Sequence, residues 1–260
     1  MEDKLSKGER RRLQILELIR DQGAITVNEV MERFSCSEAT ARRDLNLLAQ
    51  SEPIIRTLGG AHYEGSSAQE LPFSQKQEVL LGEKLAIAAK AASLIQEGDV
   101  IGLTGGTTTY LIAKHIKERR NLTVVTNAVN IAMELAENDE LQTVLTGGVI
   151  RSKSFELCGP LAESIIDKLN IGRMFVGADG FSLTEGLTTY SELEAQIGRL
   201  MIARSREVIA VFDHTKVDRA SLFTMAPLSA IHACITDRPL SKELKQSMEA
   251  MGIQLHVPSV

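Results

Sequence analysis

The apolar positions in the first sixty residues recur with a helical period. Val27, Val30, Met31 and Phe34 stand at i, i+3, i+4 and i+7, the spacing of a short helix with one buried face. Ser35-Cys36-Ser37 then breaks the rhythm with small side chains. Ser37 is placed to accept a hydrogen bond from the N–H groups left free at the start of a second helix, beginning near Glu38. Ala41, Leu45 and Leu48 form the inward stripe of that helix and leave Thr40, Arg42, Arg43 and Asn46 on or beside its outward side. Upstream, Leu13, Leu16 and Ile19 at three-residue intervals predict a helix from about Gly8 to Asp21, ended by Gly23. Downstream, Ile54-Ile55-Arg56-Thr57 has β-type residues and Gly59-Gly60 supplies a bend before Ala61-His62-Tyr63, which predicts a short hairpin or wing.

Beyond residue 80 the pattern changes to strands alternating with helices. Leu80 to Ile95 reads as a helix closed by Gly98, and the apolar run Val100 to Leu103 as the first strand. Helices near Thr108 to Lys117 and Val129 to Asn138 then alternate with strands at Leu122 to Thr126 and Gln142 to Thr146. Later strands are expected at Met174 to Gly177, Glu207 to Phe212 and His232 to Thr236, with helices near Pro160 to Lys168, Glu192 to Ala203 and Ser241 to Met251. Regular βαβ alternation argues for a mostly parallel sheet covered by helices, a doubly wound, Rossmann-like α/β domain. Between the two patterns, Glu64-Gly65-Ser66-Ser67-Ala68-Gln69 is polar and small and reads as a hinge. The expected organisation is a winged helix-turn-helix DNA-binding domain over 1–63, a linker over 64–79 and an α/β ligand-binding domain over 80–260.

The chemistry of the first domain follows from its helix pair. In a helix-turn-helix the first turns of the second helix enter the major groove, where Arg makes bidentate contacts with guanine and Thr touches a base edge or a phosphate. Thr40, Arg42, Arg43 and Asn46 sit where reading occurs, and Arg56 is a candidate phosphate or minor-groove contact. An arginine pair alone is as readily an ordinary solvated surface. The combination of three helices, a small-residue turn, arginines near the start of the second helix and a glycine wing is more specific.

Charge adds little. The 260 residues carry a formal net charge of −5, and residues 1–63 balance ten basic against ten acidic side chains. Local placement is expected to matter more, with Arg10-Arg11-Arg12, Arg42-Arg43 and Arg56 gathered into a positive face. Cys36, Cys158 and Cys234 are few, odd in number and far apart, which argues against a secreted disulfide framework and for a reduced, cytoplasmic setting. No run approaches bilayer-spanning length or reads as a signal peptide. The five histidines are scattered without paired cysteines, so no metal or cofactor site is expected.

Several polar loops of the second domain follow directly on strands, where the ligand crevice of an open parallel sheet forms. Gly105-Gly106-Thr107-Thr108-Thr109 opens a helix. It reads either as a phosphate cradle of N–H groups and hydroxyls or as a strand-to-helix turn with a threonine cap. It is neither a Walker loop nor G-x-G-x-x-G, which disfavours nucleotides. Thr126-Asn127 either caps a helix or meets ligand hydroxyls, and Gly147-Gly148 either turns the chain or admits a ligand close to the backbone. Asp179 either binds sugar hydroxyls or forms an Asp-Gly turn. Asp213 and Lys216 offer a carboxylate for hydroxyls and a cation for phosphate, unless they pair with each other on the surface.

These motifs together resemble the DeoR family of transcriptional regulators. The N-terminal signature runs through S-E-A-T-A-R-R-D-L (Ser37 to Leu45) and R-T-L-G-G-A (Arg56 to Ala61). G-G-T-T-T (Gly105 to Thr109), T-N, T-G-G (Thr146 to Gly148), F-V-G-A-D-G-F (Phe175 to Phe181) and D-H-T-K (Asp213 to Lys216) follow in the family's order, so the resemblance spans nearly the whole chain. The chain departs from the family's pattern at Thr104-Gly105, where an acidic residue and serine are common, and at Ala41, where isoleucine is.

The resemblance implies a fold akin to sugar-phosphate isomerases and a phosphorylated sugar as effector. It implies DNA contacts from Ser37, Thr40, Arg42, Arg43, Asn46, Arg56, Gly59 and Gly60. It also implies effector contacts from Gly105 to Thr109, Thr126, Asn127, Gly147, Gly148, Asp179, Glu194, Asp213 and Lys216. The expected function is a repressor of a carbohydrate-utilisation operon, acting as a homo-oligomer, dimer or tetramer, because one winged domain reads only a half-site. The sequence itself does not separate repressor from activator. The rival is a sugar-phosphate isomerase or deaminase with a helical appendage, using Asp179, Glu194 or Asp213 as base and Lys216 as electrophile. No compact acid/base motif supports it.

Overall fold

A computed structural model describes residues 6–22, 24–52, 54–56, 59–63 and 70–258, which divide into two compact units at Leu80/Leu81. The first begins with α1 (Lys7–Gln22), β1 (Ala24–Thr26), α2 (Val27–Phe34) and α3 (Glu38–Ser51). Local chemistry sets the helix ends. Thr26 and Glu29 form a reciprocal capping box at the start of α2, and Ser35, with φ 47°, ends that helix in the left-handed region. The Ser37 hydroxyl accepts from the Thr40 N–H at 3.3 Å and starts α3 as expected. Strands β2 (Ile54–Arg56) and β3 (Gly60–Tyr63) pair antiparallel, and β1 joins them in the order β1-β3-β2. Gly60 is required there, because a Cβ at that position would lie 2.1 Å from the Ile25 carbonyl oxygen.

Val27, Val30, Ala41, Leu45 and Leu48 are buried as the spacing predicts, and Met31 and Phe34 pack against them. Leu13 is a correction: it is 48% exposed, while Ile15 is fully buried beside Leu16 and Ile19. A three-residue repeat lags the 3.6-residue turn by about 60° per step, which carries Leu13 off the inward face. Residue 19's neighbour one turn earlier, Ile15, replaces it. A short helix α4 (Phe73–Glu78) seats Phe73 within the stretch expected as linker. The hinge at 64–69 and the helix-ending Gly23 lie outside the described residues.

The second unit comprises α5 (Leu81–Ser93), β4 (Val100–Leu103), α6 (Thr107–Ile116), β5 (Leu122–Thr126), α7 (Val129–Leu135), β6 (Leu141–Leu145), β7 (Val149–Arg151), β8 (Glu156–Cys158), α8 (Pro160–Ile166) and β9 (Ile171–Gly177). It continues through β10 (Gly180–Ser182), β11 (Gly186–Thr189), α9 (Glu192–Ala203), β12 (Ser205–Val211), β13 (Phe223–Ala226), β14 (Ala233–Ile235), α10 (Lys242–Ala250) and β15 (Gln254–His256). Seven strands form one parallel sheet in the order β15-β14-β12-β9-β4-β5-β6. Its central strands are apolar runs because both faces are covered. Met174 and Val176 of β9 enter one hydrophobic cluster with Ile197 and Met201 of α9. The intervening Phe175 enters the opposite cluster with Ile87 of α5 and Ile112 of α6.

The chain runs outward from β4 through β5 to β6, then returns to the other side of β4 as β9 and runs outward again. The switch between β4 and β9 is where a crevice opens beyond the carboxyl ends of the strands. Periodicity did not anticipate the β7–β8 hairpin, the antiparallel sheet β10-β11-β13 or the edge strand β15. No helix among the described residues is long and apolar enough to cross a membrane.

Candidate functional site

Two groups of side chains carry chemistry, one in each unit. In the first unit the outward face of α3 presents Arg42, Arg43 and Asn46, all exposed. Arg42 is held at 2.8 Å by Glu38, one turn earlier. Arg43 engages no carboxylate among the described residues. Thr40 is half-buried with its hydroxyl 2.9 Å from that of Ser37. Arg56 is half-buried; its Nε donates to Asn46 Oδ1 at 2.7 Å and its terminal nitrogen donates to the Gly60 carbonyl. Burial, and then the charge of Arg42, lowers its pKa below the usual guanidinium value. The Gly59 carbonyl accepts from the Val27 N–H at 2.7 Å. Arg56 and Gly59 thus fasten the wing to the helical part of the unit.

The expected positive face is only partly formed. Arg11 and Arg12 turn to Asp44 at 2.5 and 3.3 Å, and Asp44 is buried in the inward stripe of α3. A carboxylate taken out of water needs partners, so these two arginines anchor α1 to α3 and are not a surface for an anion. Bonding to Asp44, the largest influence, raises the pKa of Arg11.

In the second unit the post-strand loops converge. Gly106, with φ 125°, precedes α6 without a side-chain cap, so the threonine-cap alternative does not hold; Thr109 Oγ1 instead donates back to the Gly106 carbonyl at 3.0 Å. Thr107, Thr108 and Thr109 are all buried. Thr126 is committed internally, donating to the Leu103 carbonyl at 2.8 Å and accepting from the Ala128 N–H at 3.1 Å. Asn127 is a strut: its Oδ1 accepts from the Gly105 N–H at 3.2 Å and its Nδ2 donates to Glu156 Oε2 at 2.8 Å. Gly147 and Gly148, with φ 73° and 115°, turn the chain into the β7–β8 hairpin.

That hairpin supplies two residues the sequence did not single out. Glu156 is buried against Gly105, where a Cβ would come within 2.1 Å of its Cγ. Arg151 bonds Glu194. The Thr189 hydroxyl lies 3.1 Å from Asp179 Oδ2 and 3.0 Å from Glu194 Oε2. Burial, then Glu194 and Asp179, pushes the Glu156 carboxyl up to about 8, against the opposing bond from Asn127 and the charge of Arg151. Among the described residues no three His, Cys, Asp or Glu side chains are arranged to hold a metal ion.

Asp213, at the end of β12, is buried and not part of a surface pair. Burial works to raise its pKa, but Lys216, Lys84 and the bonds from Thr215 more than offset it and leave the carboxyl below its usual range. Lys84 was also missed. Its signal was present, since it shares the buried side of α5 with Ile87, Ala88 and Ala91, an uncommon place for a lysine without a charged partner.

A family model of the DeoR C terminal sensor domain matches residues 81–238, and one of a DeoR-like helix-turn-helix domain matches residues 11–67. The HTH-type transcriptional regulator GlpR of Haloferax volcanii is 35% identical over 243 residues, covering 94% of this chain and 95% of that protein. The Glycerol-3-phosphate regulon repressor of Escherichia coli is 32% identical over 243 residues, covering 94% and 96%. Among solved structures, ribose 5-phosphate isomerase A of Methanocaldococcus jannaschii aligns over 52% of this chain and 53% of its own, with 21% identity and a TM-score of 0.39.

Proposed function

Because the chain belongs to the DeoR family of transcriptional regulators, we propose that it represses a carbohydrate-utilisation operon and is released from its operator by a phosphorylated sugar. The observation that carries this reading is the N-terminal part of α3. It has an end capped by Ser37, exposed Arg42 and Arg43, and Asn46 tied to the wing. A helix N-terminus attracts phosphate and an arginine beside it reaches guanine O6 and N7. Arg43 is the base reader. Arg42, steered by Glu38, contacts backbone or base, while Thr40 and Ser37 meet phosphate. Arg56, Gly59 and Gly60 set the position of the wing. Two copies act together because operators are read as paired half-sites, and the work is done in the cytoplasm, where the chromosome is.

In the sensor unit Lys84 and Lys216 supply positive charge for the phosphate. The Gly105 to Thr109 loop brings backbone N–H groups to it. Asp179, Glu194 and Arg151 face the hydroxyl end of the sugar, with Asn127, Thr126, Gly147 and Gly148 holding their loops in place. Asp213 orients the two lysines. Release is a population shift: the sugar binds the DNA-incompetent arrangement more tightly than the competent one. Gel shifts on operator fragments recovered by genomic protection mapping test the reader. Loss of Arg43 is expected to cost about 1–3 kcal/mol and relax specificity at one position. Alanine variants of Arg42 and Arg43 that bind like wild type would remove the assignment. Incubation with a sugar-phosphate panel separates a sensor, which binds saturably without turnover, from an isomerase.

A further inference from the structure

Glu156 is a strongly buried acid of the crevice to which neither DNA reading nor capture of the sugar phosphate assigns a role. It is set beneath the Gly105 backbone, so close that no side chain fits between them, with its Oε2 bound by Asn127. The charged groups that face it are Glu194 from α9, Asp179 from the end of β9 and Arg151 from β7; the Cys158 thiol lies on its own strand. The Arg151 guanidinium is bonded to Glu194, and the Glu194 and Asp179 carboxylates both act against a charge on Glu156. The Thr189 hydroxyl gathers the other two carboxyl groups, 3.1 Å from Asp179 Oδ2 and 3.0 Å from Glu194 Oε2, and their charge together with burial opposes ionisation of Glu156.

We infer that Glu156 is a positioning residue that must be neutral for the Gly105 to Thr109 loop to accept a phosphate, so that effector binding is linked to the uptake of one proton. This rests on the sensor reading above. The physical reason is direct. An ionised carboxylate packed under the loop would oppose a dianion arriving on its other side, in a region where little water screens the two. A neutral acid keeps the contact with Gly105 and the bond from Asn127 without that repulsion. If the dianion binds only the neutral form, affinity is constant below the ionisation of Glu156. It falls about tenfold for each pH unit above it.

Isothermal titration of the full-length protein with glycerol 3-phosphate, ribose 5-phosphate, glucose 6-phosphate and inorganic phosphate tests this between pH 7 and 9. In this range the phosphate, with its second pKa of about 6, is already a dianion. For whichever probe binds wild type best, Kd is expected to rise about tenfold from pH 7 to pH 9. Glu156→Gln is expected to bind within about threefold of wild type at pH 7, with a flat profile. A variant-independent check is wild-type titration at pH 8 in two buffers of different ionisation enthalpy, expected to report uptake of about half a proton per site. A flat wild-type profile with no proton uptake, or a Glu156→Gln profile as steep as wild type, overturns the inference and leaves the sensor reading standing. Failure of every probe to bind at any pH overturns both.

Discussion

Gly105→Ala is the sharpest test of the crevice. The new methyl carbon would lie 2.1 Å from Glu156 Cγ and 2.3 Å from both Cδ and Oε1, whereas ordinary carbon contacts begin near 3.4 Å. Relief needs a shift of more than an ångström. The obstacle is not a loose side-chain tip, because Asn127 holds the carboxyl and the Glu156 strand is hydrogen-bonded through Leu157 to the Asn127 carbonyl at 2.7 Å. The β7–β8 hairpin or the Gly105 loop must therefore move as a piece. Overpacking of this kind costs about 1–3 kcal/mol, and the same energy set against effector binding is about 5- to 150-fold in affinity. The reader lies in the other unit and keeps its fold. The expected result is a protein that binds operator DNA like wild type but needs about 5- to 150-fold more sugar phosphate for release, measured by fluorescence anisotropy of a labelled operator. Half-release within about twofold of wild type, with an unchanged melting temperature, would refute the packing argument.

Other outcomes follow from the same geometry. Arg11→Ala leaves the buried Asp44 with Arg12 as its remaining ion-pair partner among the described residues and is expected to destabilise the N-terminal unit by about 2–3 kcal/mol; urea unfolding should show this in that unit's transition only. The ionisation of Glu156 sets a pH window. Its folded value, about 8, lies above the ordinary 4.5, so the associated stability is fully present below about 4.5 and is lost as pH rises through about 8. Melting temperatures of the sensor unit are expected to fall from pH 6 to pH 9 in wild type and to stay level in Glu156→Gln. Asp213 has the opposite sign: its lowered folded value keeps its contribution above the ordinary 3.8, with loss only as pH falls through that folded value. Cys158 and Cys234, both pushed to about 12 by burial foremost, are expected to resist iodoacetamide at pH 8 in the native protein, while half-buried Cys36 reacts first.

The legible parts of the chain are those where one simple period governs. Ala41, Leu45 and Leu48 identified the buried face of α3, Ser37 its start, and the apolar runs at Val100 to Leu103 and Leu122 to Thr126 the strands that lead into the candidate ligand loops. Asp44 was hidden in plain view: it falls in the same i, i+3, i+4, i+7 stripe as Ala41, Leu45 and Leu48. A charge at an inward position requires a partner, which explains where Arg11 and Arg12 go. The β7–β8 hairpin was not legible, because three-residue strands have no period to detect and Val149 and Ile150 are exposed. Nor was the fate of Glu156, whose neighbours Phe155 and Leu157 describe a local pattern but not the distant Gly105 against which it packs.

The bond from Arg56 to both Asn46 and the Gly60 carbonyl joins the helix proposed to probe base edges to the wing proposed to straddle the sugar-phosphate rail. The two travel together. Under the function proposed above, a metabolic signal reaching such a reader would alter where each copy can stand on the duplex and leave the letters it prefers unchanged. Induction would then be a matter of spacing, and a repressor loosened by its sugar would still favour its own half-site over any other stretch of the chromosome.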